Sequence, residues 1–402
     1  MSRTACLVGT LDTKGPEFKF LRERIEASNV ATYVINTGIL GDPQFEPDVS
    51  AEQVANAGGT SLTALRHEGD RGNSVAAMAN GAAQIVERLN NDEVIDGIIS
   101  LGGSAGTTIG TTAMRALPVG VPKLMVSTLA SGDTSPYVDT KDITMMYSVV
   151  DIAGVNSLSR QILTNAAGAI AGMINAEVPE ADDKPLIAAT MFGVTTPCVT
   201  KAREILEAAG YEVLVFHATG TGGRAMEDLV RGGFIVGVLD ATTTELADEL
   251  VGGVLSAGPD RLEAAGNQPI PQVVAPGALD MVNFGPPDTV PEKFKERKFY
   301  QHNPTITLMR TTVDENAELG KIMAQKLSRA KGPTTVMIPK GGVSAIDAHG
   351  QPFDSPEARA AWIENLKANA ADNVKVIEMD NNINDDTFAT RLAETLLQSL
   401  NH

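Results

Sequence analysis

The sequence predicts an α/β protein made of two Rossmann-like domains, each a mostly parallel sheet flanked by helices. Three observations predict it. Short apolar runs end on Gly or Asn-Thr-Gly and lead into helical stripes, the strand–loop–helix–strand rhythm of a parallel sheet. The rhythm stops at an acidic stretch with two prolines, VPEADDKP (178–185), and then restarts. The length of 402 residues exceeds what one hydrophobic core serves comfortably. Residues 179–185 are therefore read as a linker between an N-terminal domain (1–178) and a C-terminal domain (186–402).

TACLVG (4–9) is the first strand: apolar, short and stopped by glycine. A loop, GTLDTKG, leads to Pro16, which suits the first turn of a helix whose apolar face carries Phe20, Leu21 and Ile25. Residues 30–35 form the next strand and end at Asn36-Thr37-Gly38. Residues 41–73 break the rhythm and read as an insertion of loops with one short helix. The stripe Val75, Met78, Ala82, Ile85, Val86 and Leu89 makes 74–89 a helix. Strand 97–101, helix 107–117, strand 123–127 and the Ala-rich helix 156–175 complete the domain. After the linker, LIAATMFGVTTPCVTKAREILEAAGYEVLVFHATG reads as a strand, a loop with Thr196-Pro197, a helix, a strand and then Thr219-Gly220. The remainder alternates as strand 235–239, helix 244–250, strand 305–309, helix 313–329, strand 334–338, helix 355–371, strand 374–378 and helix 384–400. Pro16 and Thr37-Gly38 align with Pro197 and Thr219-Gly220 at a nearly constant offset, the mark of an internal duplication or of any two βαβ units.

Composition narrows the function classes. Apolar residues make up 43 % and charged residues 20 %, an ordinary globular balance. A net charge of −18 argues against a nucleic-acid surface, which needs clustered Lys and Arg. It leaves room for a small anion held by local donors. No apolar run reaches the roughly 18 residues of a membrane span, and the N-terminus lacks a signal-peptide layout. Two cysteines, Cys6 and Cys198, make no disulfide framework. A cytoplasmic protein with no membrane partner is the expectation.

A parallel sheet presents ligands at the carboxyl ends of its strands. Three loops of the N-terminal domain fall there: 9–14, GGSAGTT (102–108) and STLASGD (127–133). Glycines let several backbone N–H groups turn inward and let a phosphate approach, and a helix starting at once adds its positive dipole end. Ser104, Thr107 and Thr108 supply hydroxyls and Lys14 a counter-charge. The loop matches neither GxxxxGK[ST] nor GxGxxG. Asp12 and Asp133 have the chemistry to hold Mg²⁺ beside phosphate oxygens, although such residues more commonly cap a turn or helix. RHEGDRG (66–72) carries Arg66 and Arg71 and reads as a solvated loop. In the C-terminal half, polar residues again follow strands: His217, TGTGGR (219–224) as a second anion nest, Asp240, Glu245, Asp280, Asn283, His302 and Arg310. A His beside carboxylates is raw material for acid–base chemistry. His217, Asp240, Glu245, Asp280 and His302 are the catalytic candidates. No HxxxH, HExxH or GxSxG pattern occurs.

VGTLDTKGPEF, SLGGSAGTT, STLASGD and DITMMYSVVDIAGVNSLSR, with FHATGTGGRAME, LDATTTELAD, PGALDMVNFG and HNPTITLMRT, together resemble the tomato mosaic virus resistance protein family, whose N-terminal region is a Tm-one-like ATP-binding domain. The resemblance covers nearly the whole chain. It implies two α/β domains, an ATP site in the first and a homodimer. On the matching motifs it points to Gly9, Thr10, Asp12, Lys14, Gly102, Gly103, Ser104, Gly106, Thr107, Thr128, Ser131 and Gly132 as the nucleotide-binding residues. Two readings follow. In the first, ATP, with Mg²⁺, serves a kinase- or ligase-type reaction on a small organic or sugar acid between the domains. In the second, ATP stabilises a non-catalytic module that binds another protein.

Overall fold

The structure is a computed structural model describing residues 3–179 and 181–401. It divides into two compact units, Met1–Glu180 and Ala181–His402, and each is built around its own sheet.

The first unit runs β1 (Thr4–Gly9), α1 (Gly15–Glu26), β2 (Ala31–Asn36), α2 (Ala51–Ala57), α3 (Leu62–Glu68), α4 (Arg71–Asn91), β3 (Gly97–Gly102), α5 (Ser104–Arg115), β4 (Lys123–Ser127), α6 (Ser135–Val138), β5 (Thr144–Tyr147) and α7 (Ser157–Asn175). Its strands are all parallel, in the order β2-β1-β3-β4-β5. Alternate residues of the buried strands feed two cores. Cys6, Val8 and Ile98 face α2, α4 and α5, while Leu7, Ile99 and Val126 face α1 and α7. That two-sided burial explains why these strands read as unbroken apolar runs.

Residues 41–73 differ from the expectation of loops with one short helix. Ser50 starts α2 through a reciprocal capping box with Gln53, and Ser61 caps α3 on the amide of Ala64. Asp70 caps α4 on the amide of Asn73, so α4 begins at Arg71, ahead of the expected position 74. Helix α5 also starts early, at Ser104 rather than 107. The glycine cluster is thus the first turn of a helix. The edge strand β5 is only four residues long, with two exposed and two part-exposed, and its short Met-Met-Tyr run does not stand out from its surroundings.

The second unit runs β6 (Leu186–Met191), α8 (Thr196–Ala208), β7 (Glu212–His217), α9 (Thr221–Arg231), β8 (Ile235–Thr242), α10 (Glu245–Val251), α11 (Ala264–Asn267), β9 (Gln272–Gly277), β10 (Met281–Phe284), β11 (Phe299–Asn303), β12 (Ile306–Arg310), α12 (Val313–Leu327), β13 (Thr334–Pro339), α13 (Pro356–Asn369), β14 (Val374–Met379) and α14 (Asp386–Leu400). The parallel sheet is ordered β14-β13-β9-β8-β6-β7, and β10, β12 and β11 form a separate antiparallel ribbon. Counted from its own first strand, this sheet repeats the order of the first and adds a sixth strand. The repeat extends to the offset seen in the sequence: Thr37-Gly38 follows β2 and Thr219-Gly220 follows β7, the second strand of each unit. The segment 305–309 is a strand as expected, but it belongs to the ribbon. β9 and its Pro276 take the central place beside β8. The proline is tolerated because the β13 pairing ends at Val274.

Candidate functional site

In the order β2-β1-β3-β4-β5, successive connections leave β1 and β3 in opposite directions. A crevice opens beyond their carboxyl ends, the usual ligand position in such sheets. The loop after β1 folds back on itself: the Lys14 amide donates to the Thr10 carbonyl at 2.8 Å, and the Thr13 hydroxyl lies 2.9 Å from that of Thr10. Asn36 Oδ1 accepts from the amides of Leu11 (3.1 Å) and Gly38 (2.9 Å), tying this loop to the one after β2. Asp12 Oδ2 accepts from the amides of Leu40 (2.8 Å) and Gly41 (3.2 Å), while its Oδ1 is buried without a partner. The Lys14 ammonium donates to the Ile152 carbonyl.

After β3, Gly102 approaches α5 so closely that a Cβ there would lie 2.8 Å from the Gly106 Cα. Gly103 occupies the N-cap of α5 with no side-chain cap, and the first helical bond is Thr107 N–H to the Gly103 carbonyl at 2.8 Å. The N–H groups of Ser104, Ala105 and Gly106 therefore have no intrahelical acceptor. Helix α1 also starts without a side-chain cap, at Lys14. Two positive helix ends and a lysine thus meet at one crevice in a chain of net charge −18.

The crevice is a cavity of about 750 Å³, within the range of small-molecule sites. Thr10, Asp12, Lys14, Thr37 and Gly102–Gly106 line its floor. Leu65 and Arg66 of α3, Asp70, and Arg71, Ser74, Val75 and Met78 of α4 supply the roof and one wall. These residues come from the inserted segment or its border, which sequence reasoning set aside. The available signals were the caps Ser61 and Asp70 and the apolar stripe of α4, whose first members, Val75 and Met78, face the cavity. Arg66 and Arg71, read as solvated, both line it. Arg66 is committed to the carbonyls of Ile39 (2.6 Å) and Gly41 (3.3 Å).

Of the nucleotide-site candidates, Thr10, Asp12, Lys14, Gly102, Gly103, Ser104 and Gly106 lie together in this lining. Gly9 is placed elsewhere, since a Cβ there would strike the Phe18 ring. Thr107 is buried with its hydroxyl 2.7 Å from that of Ser127. Thr128 stands beside Gly103, its Oγ1 3.8 Å from where a Cβ would be. Ser131 and Gly132 occupy an exposed turn outside the lining. Asp133 caps that turn, and its bonds from Ser135 (2.6 and 3.0 Å) hold its carboxyl below the usual range.

The catalytic candidates of the second unit are not brought together as a set: only Asp240 and Glu245 meet, on Arg261. Arg261, wholly buried, donates to both oxygens of Asp240 (2.5 and 2.7 Å) and to Glu245 (2.6 Å), with Glu227 at 3.5 Å. Glu245 Oε1 in turn accepts from the amides of Gly220 (2.7 Å) and Gly223 (3.1 Å). The TGTGGR nest is therefore filled by the chain's own carboxylate. Burial pushes the Glu227 carboxyl up, while the surrounding carboxylates hold the Arg261 guanidinium well above its usual range. Asp280 lies in a different cluster, bonded by the Ser344 hydroxyl (2.9 Å), its Oδ1 unpartnered. Burial, reinforced by the Asp347 charge, raises its carboxyl pKa. The cavity beside it has room for about one water molecule (about 10 Å³). His217 is exposed at the end of β7, edge-on to Phe192 at 5.5 Å, and His302 is exposed on the ribbon. Among the described residues no three His, Cys, Asp or Glu side chains converge as a metal cage, and no helix is long and apolar enough to cross a membrane.

Comparison with known proteins bears on the whole chain. Models described as the N-terminal and C-terminal domains of an uncharacterised protein family, UPF0261, match residues 3–179 and 184–400. A UPF0261 protein of Clostridium tetani is 58 % identical over 402 residues, covering 100 % of both chains. One from Mesorhizobium japonicum is 48 % identical, covering 97 % of this chain and 98 % of that one. The tomato (Solanum lycopersicum) ToMV resistance protein Tm-1(GCR237) is 41 % identical over 97 % of this chain, which spans 55 % of the tomato protein. Among solved structures, an S. aureus MnaA–UDP co-structure overlaps 68 % of this chain and 79 % of its own at 12 % identity, with a TM-score of 0.22. Overlap that slight carries no chemistry across.

Proposed function

The chain belongs to the UPF0261 family, and from that premise we propose that its first unit binds a nucleoside triphosphate, ATP foremost. The observation that carries the reading is the uncapped first turn of α5, opening at the sheet's switch point into a cavity that also holds Lys14. Free N–H groups of that turn and the helix dipole receive a phosphate, and Lys14 exchanges the Ile152 carbonyl for a second one. The residues present fit Mg²⁺ only with the ligand's help. Asp12 has one uncommitted oxygen, and Mg²⁺ is commonly held by one or two carboxylates together with phosphate oxygens. The nucleotide then serves a kinase- or ligase-type reaction on a small organic or sugar acid, with the chain acting as a homodimer in the cytoplasm.

A second reading draws on one observation. Asp240 and Glu245 are internally satisfied by Arg261 and the Gly220–Gly223 amides, so neither is poised as an acid or base. In that reading ATP orders the first unit, and a surface of the chain engages another protein. The name of the tomato relative agrees with such a role.

Thermal unfolding with and without ATP, followed by ATP-consumption assays across organic and sugar acids, separates these readings. ATP is expected to raise Tm, as any ligand of the folded state must. Turnover stimulated by one acid supports the enzyme, and a Tm rise without consumption supports the module. No Tm rise with any nucleotide would sink both.

A further inference from the structure

The second unit encloses a small cavity at the carboxyl edge of its sheet, where the loop after β9 meets α12 and α13. Its volume is about 10 Å³, and Asp280, Arg310, Asn316, Arg359 and Trp362 are the polar members of its lining. Asp280 is 1 % exposed and Trp362 3 %. Each brings one buried polar atom without a hydrogen-bond partner: Asp280 Oδ1, an acceptor, and Trp362 Nε1, a donor. The other polar groups are committed elsewhere. Asp280 Oδ2 accepts from the Ser344 hydroxyl at 2.9 Å. The Arg310 guanidinium donates to the carbonyls of Phe353 (2.7 Å) and Asp280 (3.2 Å) and to the Asp347 carboxylate (3.0 Å). Arg359 donates to Asp347 (2.9 Å) and Asp354 (3.0 Å). The Asn316 amide nitrogen donates to the Thr311 hydroxyl (2.9 Å) and the Thr312 carbonyl (2.8 Å). One acceptor and one donor are left over around one cavity. Buried polar atoms left in that state are costly and rare in folded proteins.

We infer that this cavity is a binding site for one water molecule, which accepts from the Trp362 indole N–H, donates to Asp280 Oδ1 and so links α13 to the loop after β9. The volume fits, since a buried water needs about 10–15 Å³ of such space. Two bonds are within the range of about two to four that buried waters make. The chemistry of the lining selects among occupants of that size. An ammonium ion only donates, and it would meet an indole N–H and two guanidinium groups. A halide would accept from the indole but lie against the Asp280 carboxylate. A methyl group from a repacked neighbour would leave both polar atoms unpaired. Water alone of these both accepts and donates without charge. The inference concerns the second unit only and is independent of the nucleotide reading.

Two measurements on the full wild-type chain test it, and neither needs a variant that must fold. The first is a high-resolution crystal structure. One peak of the density of a water oxygen is expected within about 3.2 Å of both Asp280 Oδ1 and Trp362 Nε1. The second uses the fact that Trp362 is the chain's one tryptophan. Its indole N–H gives a single nitrogen–proton resonance, and in solution that proton should show a cross-peak to water with the sign of a slowly exchanging internal molecule. A cavity without density, or a peak that reaches only one of the two atoms, overturns the inference. A peak heavier than oxygen that follows the halide concentration overturns it in favour of an ion. An indole proton bonded directly to a protein oxygen, or one with no water cross-peak, overturns it as well.

Discussion

Gly103 shows how one missing side chain can define a site. A Cβ there meets nothing closer than Thr128 Oγ1 at 3.8 Å, and its backbone is extended, so the folded chain tolerates a larger residue. The Gly103→Val variant is expected to lose only about 1 kcal/mol of stability, the cost of a poor N-cap residue without a clash. It should nevertheless lose the ATP-induced rise in Tm, because the new methyls occupy the phosphate's approach. Full ATP affinity in this variant would remove the rim from the argument. Lys14→Met should weaken ATP binding about 10- to 100-fold, the worth of a hydrogen bond to a charged group, read by titration calorimetry. Arg261 is the opposite kind of residue. Arg261→Met strands Asp240, Glu245 and Glu227 in a dry interior and should cost about 3–5 kcal/mol in urea unfolding. Asp248 supplies a pH dependence. Burial raises its carboxyl to about 7 despite the bonds it accepts from Asn283 and Leu255. From its unfolded value near about 4 up to about 7, the folded chain holds a proton that the unfolded chain releases. The stability this contributes is complete below that range and is lost as pH rises through it. Urea midpoints should therefore fall between about pH 4 and about pH 7, and Asp248→Asn should lessen the fall.

At the scale of elements, legibility in the sequence followed the physics of burial. Strands covered on both faces, such as TACLVG and GIISLG, carry one polar residue each, Thr4 and Ser100, in otherwise apolar runs and are read within a residue or two. Edge and ribbon strands are different. TMMY (β5) and FYQHN (β11) are partly exposed and short, and the pairing of β11 with β12 is interrupted by a register shift between Gln301 and Asn303. The glycine part of the cavity lining was legible because Gly-Gly-Ser-Ala-Gly after an apolar run marks the end of a strand and leaves its backbone uncovered by side chains. What was not legible is that the cluster is helical from Ser104 onward. An N-cap glycine supplies no side-chain bond, and capping side chains are what usually announce a helix start. The roof was missed for a related reason. Arg66 and Arg71 sit in a charged, glycine-bearing stretch, and only the packing of α3 and α4 over the sheet edge turns that stretch toward a cavity. The second unit reversed the error. Polar residues after strands looked like a site, yet the depth that holds Asp240 and Glu245 also pairs them with Arg261, which no local pattern indicates.

At the scale of the molecule, each unit carries a complete sheet with helices on both faces and its own cores. Residues 176–185 between them contain no helix or strand among the described positions, and Val178 is 91 % exposed. Limited proteolysis should therefore cut first in this stretch and release two protease-resistant fragments, identified by mass spectrometry. Early cutting inside either sheet would contradict the two-unit division. The shared strand order also supplies a comparison within one chain. The first unit leaves the start of α5 open beside the loop after β2. In the second, Glu245 heads the corresponding helix and reaches the amides after β7. The guest in that second berth is covalently attached, and it can be evicted. Glu245→Gly should leave a lodging shaped for one carboxylate, with Arg261 as its landlord. Millimolar acetate or formate should then restore part of the lost Tm, whereas chloride at equal ionic strength should not.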